Sequence, residues 1–155
     1  MEAQIVSTYT IRQASIEDAN SLVEFNLRLA KETEDKDLDR SLLQPGVEAI
    51  LRDANRGFYV VAVNEEEVIG ATMVTKEWSD WRNADFWWIQ SVYVVKEHRR
   101  QGVFRSLFNE VKRLASEQKV CGFRLYVEQQ NDVAQKTYHE LGWHETIYKM
   151  FEMKS

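Results

Sequence analysis

Two arginines and a single glycine stand just before an amphipathic run in HRRQGVFRSLFNEVKRL, residues 98–114. Val103, Leu107, Val111 and Leu114 recur at helical spacing, with Phe108 and Ala115 beside them, so the run predicts a helix opening after Gly102. The first backbone N–H groups of a helix have no intrahelical partner, and the helix dipole adds partial positive charge there. The N–H groups of Gln101, Gly102, Val103, Phe104 and Arg105 could therefore converge on an anion such as a pyrophosphate, with Arg99, Arg100 and Arg105 supplying charge. Gly102 would let that ligand approach the backbone closely. The pattern is not a P-loop, because no Gly-Lys-Ser/Thr follows, and one glycine instead of three excludes a dinucleotide fingerprint. Spacing alone leaves a second reading open: a solvated helix start that is simply basic.

Other residues with chemical potential are less organised. Trp78, Trp81, Trp87 and Trp88 crowd into EWSDWRNADFWW, residues 77–88. They suit hairpin or core packing, or the wall of a pocket whose ring faces attract a cation. His98, His139 and His144 show no metal-ligand spacing with carboxylates or cysteine, and no metal site is expected. Cys121 is the only cysteine, which excludes an internal disulfide, and it reads as a small buried residue.

The elements that would position these residues follow from local pattern. TYTIRQA, residues 8–14, reads as a strand. Ser15, with Asp18 three residues on, opens a helix that turns Ile16, Ala19, Leu22, Val23 and Ala30 inward, widened by Phe25 and Leu29. Residues 31–40 are charged and read as an exposed helix end or a connection. Pro45 suits the first turn of a second helix, with Val47, Ile50, Leu51 and Ala54 inward. Residues 57–63 and the stretch from Glu65 to Trp78 form a hairpin across a short acidic turn. Residues 85–95 are a long strand whose period of two puts Phe86, Trp88, Gln90, Val92 and Val94 on one face. A strand over residues 122–128, a short helix from Asn131 to its stop at Gly142, and a final strand from Trp143 complete the chain. The order β-α-α-β-β-β-α-β-α-β predicts an α/β fold, with a mixed sheet between helices on both faces.

At 155 residues, with 44% hydrophobic and 29% charged residues, the chain suits a single domain over residues 8–155. A net charge of −5 argues against general nucleic-acid binding. No apolar run is long enough for a membrane span, and the start has no basic and apolar segments of a signal peptide. A cytoplasmic protein is expected.

Taken together, VYVVKEHRRQGVFRSLF and LYVEQQNDVAQKTYHELGW resemble the GCN5-related N-acetyltransferase (GNAT) family. The family's acyl-CoA signature, Arg or Gln, two residues, Gly, one residue, then Gly or Ala, falls on Arg99, Gly102 and Phe104. Phe104 departs from it and must point its ring away from the ligand. The second segment fits in order and spacing: Asn131 opens a short helix, Tyr138 follows seven residues later, and Leu141, Gly142 and Trp143 end it. The resemblance runs from about residue 57 onward. It implies a mostly antiparallel central sheet and the acyl-CoA N-acyltransferase fold.

It also implies acetyl-CoA as co-substrate and direct transfer of the acetyl group to a primary amine, on a small molecule or a protein. A lysine-like amine, with a reference pKa of about 10.4, must lose a proton to attack, and the departing thiolate must gain one. Tyr138 stands where the family keeps the tyrosine that protonates the sulfur. The backbone at Val92 and Val94 would pair with the pantetheine arm, and strands must splay there to admit it. The base stays open. Gln90 can only position a water, Glu77 and Glu128 lie near strand ends, and a water chain to solvent is the alternative. Residues 25–45 and 76–88 would wall the acceptor site, where the acidic excess of residues 31–40 favours a cationic amine over a nucleic acid or an anionic metabolite; no nucleic-acid or membrane partner is expected. A homodimer is left open. The competing reading is a non-catalytic acyl-CoA-binding module on the same fold.

Overall fold

A computed structural model describes residues 8–155. Five strands, β1 (Thr10–Gln13), β2 (Phe58–Asn64), β3 (Glu67–Ser79), β4 (Ala84–Val94) and β5 (Val120–Arg124), lie in one sheet in chain order. The first three pairings are antiparallel and β4–β5 is parallel. Helices α1 (Ala19–Glu34) and α2 (Arg40–Arg52) cover one face. Helix α3 (Val103–Ser116) covers the other, with α4 (Asp132–Glu140) beside it. The expected class, mixed α/β with a mostly antiparallel sheet between helices, is what is found.

Because both faces are covered, β2 is buried on both sides instead of alternating with polar residues. Val60 and Ala62 pack with Val74, Trp87, Ile89, Leu107 and Val111 under α3. Tyr59 and Val61 pack with Leu22, Val23, Phe25, Val47, Ile50 and Tyr93 under α1 and α2. The acidic hairpin turn is tight, with Glu65 and Glu66 both at positive φ between the paired Asn64 and Glu67.

A short 3₁₀ turn precedes α1, and Asp18 fixes it. Its carboxylate accepts from the Ser15 N–H at 2.8 Å and from Arg12 at 2.7 and 2.9 Å, which ties β1 to the helix start. The Arg12 hydrogen bonds lower the Asp18 pKa against burial, which alone would raise it. A depressed carboxylate pKa contributes stability above the unfolded value of about 3.9 and loses it as pH falls through the folded value. Asp18→Asn should cost about 1–2 kcal/mol at neutral pH, the worth of a capping contact and a charge-assisted bond to a half-exposed, screened arginine. Denaturant titration at pH 7 and below pH 3 checks this. The gap between wild type and variant must shrink in acid; an equal gap at both pH values would contradict the assignment.

Several expectations are corrected. Pro45 lies inside α2, not in its first turn, because Asp39 caps the helix earlier by accepting from the Ser41 N–H at 2.9 Å. The single-face reading of β4 fails at Ser91. Ala71 pairs with Tyr93 and Met73 with Gln90, so two steps on β3 oppose three on β4. This bulge, with Ser91 at φ 51°, reverses the alternation. Gln90 stays on the α1–α2 face, opposite Met73, whereas Val92 and Val94 pack toward α3. Strand β5 stops at Arg124, and residues 143–155 form no strand. Cys121 is exposed, because β5 is the edge of the sheet.

Candidate active site

The mouth of α3 has the expected geometry. Gly102 is the N-cap residue at φ 79°, and Arg100 is also left-handed at φ 61°, so the loop curls tightly into the helix. The Gly102 carbonyl accepts the first helical bond, from Ser106 at 3.0 Å, leaving the N–H groups of the first turn facing outward. A Cβ built at Gly102 meets nothing within 4 Å, so the approach to this backbone is open. Gln101, Arg100 and Arg105 are exposed beside it, and Val103 is buried as the anchor. Arg99 sits elsewhere. Its Nε donates to the Val94 carbonyl at 2.8 Å, one guanidinium nitrogen donates to Glu32 at 2.8 Å, and the group lies 5.3 Å from the Tyr93 ring centre.

Strand β4 pairs with β5 only through residues 85–88 and then runs on to Val94 paired with β3 alone. The sheet therefore splays beyond Trp88. The Val95 N–H donates to Ile69 on the β3 side at 2.9 Å. By alternation, the backbone groups of Val94 and Val92 face the splay. The Val94 carbonyl is held by Arg99; the amides remain along the open edge.

Helix α4 aims Tyr138 at this place through its own caps. The Asn131 side chain accepts from the Ala134 N–H at 3.1 Å. At the other end Gly142 is left-handed, its N–H donates to His139 at 3.1 Å, and the Trp143 N–H donates to Tyr138 at 3.0 Å. This two-bond closure brings the residue after the glycine onto the last turn, so Trp143 packs on Tyr138 with ring centres 6.2 Å apart. The Leu-Gly-Trp ending is thus a device that fixes the tyrosine. Tyr138 also meets Phe104 edge-on at 5.7 Å, so it lies against the first turn of α3. Phe104 also stacks on Phe108, with ring centres 6.2 Å apart. Burial raises the Tyr138 pKa, which keeps the phenol protonated at neutral pH.

An open cleft of about 640 Å³ separates the end of α1 from the β5–α4 loop. Lys31, Glu32, Glu34, Asp35 and Lys36 form one wall; Glu128, Gln130 and Asn131 form the other. Residues almost a hundred positions apart thus meet; the lining holds four carboxylates and two lysines, with Lys31 paired to Asp35 at 3.0 Å and Lys36 to Glu34 at 3.3 Å along the α1 wall. Glu32 also joins the cleft to the strand end, accepting from the Tyr93 hydroxyl at 3.1 Å as well as from Arg99. Burial would raise the Glu32 pKa, but the Arg99 and Tyr93 hydrogen bonds outweigh it and hold the carboxyl below its ordinary value. Glu32, Tyr93 and the Ser91 bulge carry no sequence signal of a site; only the fold joins them. Glu128 is exposed and accepts from the Gln130 N–H at 2.7 Å. Gln90 donates to the Thr75 hydroxyl at 2.8 Å. Glu77 is engaged by Arg124 at 2.8 Å and by the Trp88 indole at 3.2 Å, away from the cleft lining. Trp87 is core, and Trp78 and Trp81 are exposed at the hairpin tip, so none of the four tryptophans lines this cleft. Among the described residues no group of three His, Cys, Asp or Glu side chains is arranged to hold a metal.

This combination of an anion-ready helix mouth, a splayed parallel strand pair and a capped tyrosine is that of an acyltransferase. Residues 19–143 match the acetyltransferase (GNAT) family, and the chain belongs to it. A chain of Clostridium difficile 630, described as a possible acetyltransferase, is 45% identical and superposes with a TM-score of 0.89 over 95% of this chain and 97% of that one. The aminoglycoside N-acetyltransferase AAC(6')-Iy, solved with CoA, is 18% identical at a TM-score of 0.78, with 99% of each chain covered. A ribosomal-protein-alanine N-acetyltransferase from Brucella melitensis biovar Abortus 2308 is 14% identical at 0.76, with 96% of this chain and all of that one covered. The last two show the fold alone. No curated protein sequence matches the chain.

Proposed function

We propose that the protein is a cytoplasmic, acetyl-CoA-dependent N-acetyltransferase that acts by direct attack of a primary amine within a ternary complex. The observation that supports this reading is the contact of Tyr138 with Phe104, which brings a buried, protonated phenol against the first turn of α3. Acetyl-CoA would supply an activated thioester. The amides of residues 101–105 bind its phosphates, with Arg100 and Arg105 adding charge, while Arg99 braces the loop against Glu32. The open edge at Val92 and Val94 aligns the pantetheine arm as an added strand, and the Val92 amide, just after the bulge, can donate to the developing oxyanion. Glu128, on the cleft wall, is the carboxylate that takes the proton from the attacking amine, directly or through a water positioned by Gln90. The N–C bond forms, the C–S bond breaks, and Tyr138 gives its proton to the thiolate.

The acidic cleft supports a small cationic amine, or an exposed lysine or N-terminal amine, as acceptor. Two fold relatives are named for an aminoglycoside and a ribosomal-protein alanine. An amine panel read by mass spectrometry and by CoA release tests the activity. Acetyl-CoA binding with no acetylated product from any amine would instead favour the non-catalytic module. With the best acceptor, kcat/KM should fall roughly tenfold or more as the screening length shortens from about 30 Å at 0.01 M salt to about 3 Å at 1 M. A flat salt profile, or a preference for anionic acceptors, would refute the steering.

A further inference from the structure

Tyrosine hydroxyls aside, Asp18 and Thr72 are the polar side chains buried in the described core. Asp18 is accounted for by Arg12 and Ser15. Thr72 lies in the middle of β3 with no exposure at all, among the buried residues Ile69, Gly70, Ala71 and Val74. A valine has the same shape and no hydroxyl to desolvate, so a buried threonine calls for a partner that needs it. That partner is the Gln90 carbonyl, to which the Thr72 hydroxyl donates at 3.3 Å.

The Gln90 carbonyl opens the β4 bulge. Thr72 stands between Ala71 and Met73, whose partners Tyr93 and Gln90 bracket the bulge, and it has no partner of its own on β4. A bulge takes backbone groups off the ladder, and a buried one must find another partner. The Thr72 hydroxyl meets that need from within β3. The Gln90 side chain is tied as well, donating to the Thr75 hydroxyl at 2.8 Å. A second brace comes from the helix side. Tyr59 on β2 is 3% exposed, and its hydroxyl accepts from the Asn26 side chain of α1 at 3.3 Å. Asn26 is itself held by donating to the Leu22 carbonyl at 2.9 Å. Burial raises the Tyr59 pKa, while hydrogen bonds from Asn26 and Ser91 work against it, so the phenol also reaches the bulge residue. Ser91, at φ 51°, holds a conformation that a residue with a Cβ keeps only where its surroundings over-determine it. Thr72, Tyr59 and Asn26 are those surroundings.

We propose that Thr72 and Tyr59 are positioning residues for acetyl transfer, their hydroxyls holding the β4 bulge so that the Val92 amide meets the developing oxyanion. This rests on the acetyltransferase reading above and adds to it the groups that aim its oxyanion donor. Both side chains are buried, so neither reaches the substrate. They act through the backbone of Gln90 and Ser91, which leads into the Val92 amide. Losing an oxyanion donor outright lowers turnover about 10²–10³-fold, so a donor that is only misaimed should cost roughly tenfold. The oxyanion exists only in the transition state, so the loss falls on kcat and spares KM.

Thr72→Val and Thr72→Ser separate positioning from packing, because the two roles predict opposite orders. Valine keeps the volume and loses the hydroxyl; serine keeps the hydroxyl and loses a methyl group. With the best amine, Thr72→Val should lose roughly tenfold in kcat, with KM for both substrates near wild type, and Thr72→Ser should keep the wild-type rate. Tyr59→Phe, which retains the ring, should fall with Thr72→Val. Far-ultraviolet circular dichroism checks that each variant is folded. A wild-type kcat in Thr72→Val, or a lower kcat in Thr72→Ser than in Thr72→Val, overturns the proposal. Hydrogen exchange over residues 89–93 of the free protein, read by mass spectrometry, makes the same comparison without turnover. Exchange should quicken in Thr72→Val and Tyr59→Phe and stay at the wild-type rate in Thr72→Ser. Equal exchange in all three variants overturns the brace. Inactivity of the wild type toward every amine would count against acetyl transfer, and the exchange order alone would then decide whether these hydroxyls hold the bulge.

Discussion

In Tyr138→Phe, turnover should fall roughly 10²-fold or more while acetyl-CoA affinity holds, the usual worth of a positioned general acid. The variant separates the hydroxyl from the ring. The ring is held by Phe104 at 5.7 Å and Trp143 at 6.2 Å, and phenylalanine keeps both contacts. The helix caps at Asn131 and Gly142 do not involve the hydroxyl. Fold and thermal stability should therefore be near wild type. Burial raises the phenol pKa, and for an acid that must be protonated to act the sign is favourable. The donor form persists through neutral pH and is lost only as pH rises past the ordinary phenol value of about 10. Calorimetric titration with acetyl-CoA, beside steady-state rates on the best amine, gives both readouts. Unchanged turnover in the phenylalanine variant would show that the hydroxyl donates nothing. Loss of affinity together with turnover would reduce Tyr138 to packing.

Gly102→Glu should lower acetyl-CoA affinity by at least about 10²-fold, because like charges set together in a site cost several kcal/mol. The side chain would add a carboxylate where first-turn amides and the dipole await an anion. Two effects must be separated, because Gly102 is left-handed at φ 79° and any other residue is strained there. A Cβ at this point meets open space, so Gly102→Ala carries only the backbone cost, about 1–2 kcal/mol of stability. Alanine should retain most of the affinity. Glutamate should lose it without further unfolding, since a carboxylate near a helix N-terminus favours the helix itself. Equal affinity in the two variants would move the phosphate site away from α3.

The sequence by itself determined what local physics encodes. The mouth of α3 was legible from a glycine beside arginines and a 3.6-residue apolar period, and the structure bears out the helix start at Val103. Helix α4 was legible from its caps, because Asn131 and Gly142 act on backbone groups within a turn of themselves. The order of elements followed from alternation and turn residues through Glu140. The tertiary structure decided the rest, because each remaining feature depends on a partner far along the chain. One extra residue at Ser91 reverses the faces of β4, which no period of two can announce, and so separates Gln90 from Val92 and Val94. Arg99 reads as a phosphate ligand by spacing, yet Glu32, 67 positions earlier, holds its guanidinium. Glu128 reads as an isolated carboxylate until the end of α1 comes to face it across the cleft. Residues 144–153 have the composition of a strand, but composition cannot supply the neighbouring edge that a strand needs before it exists.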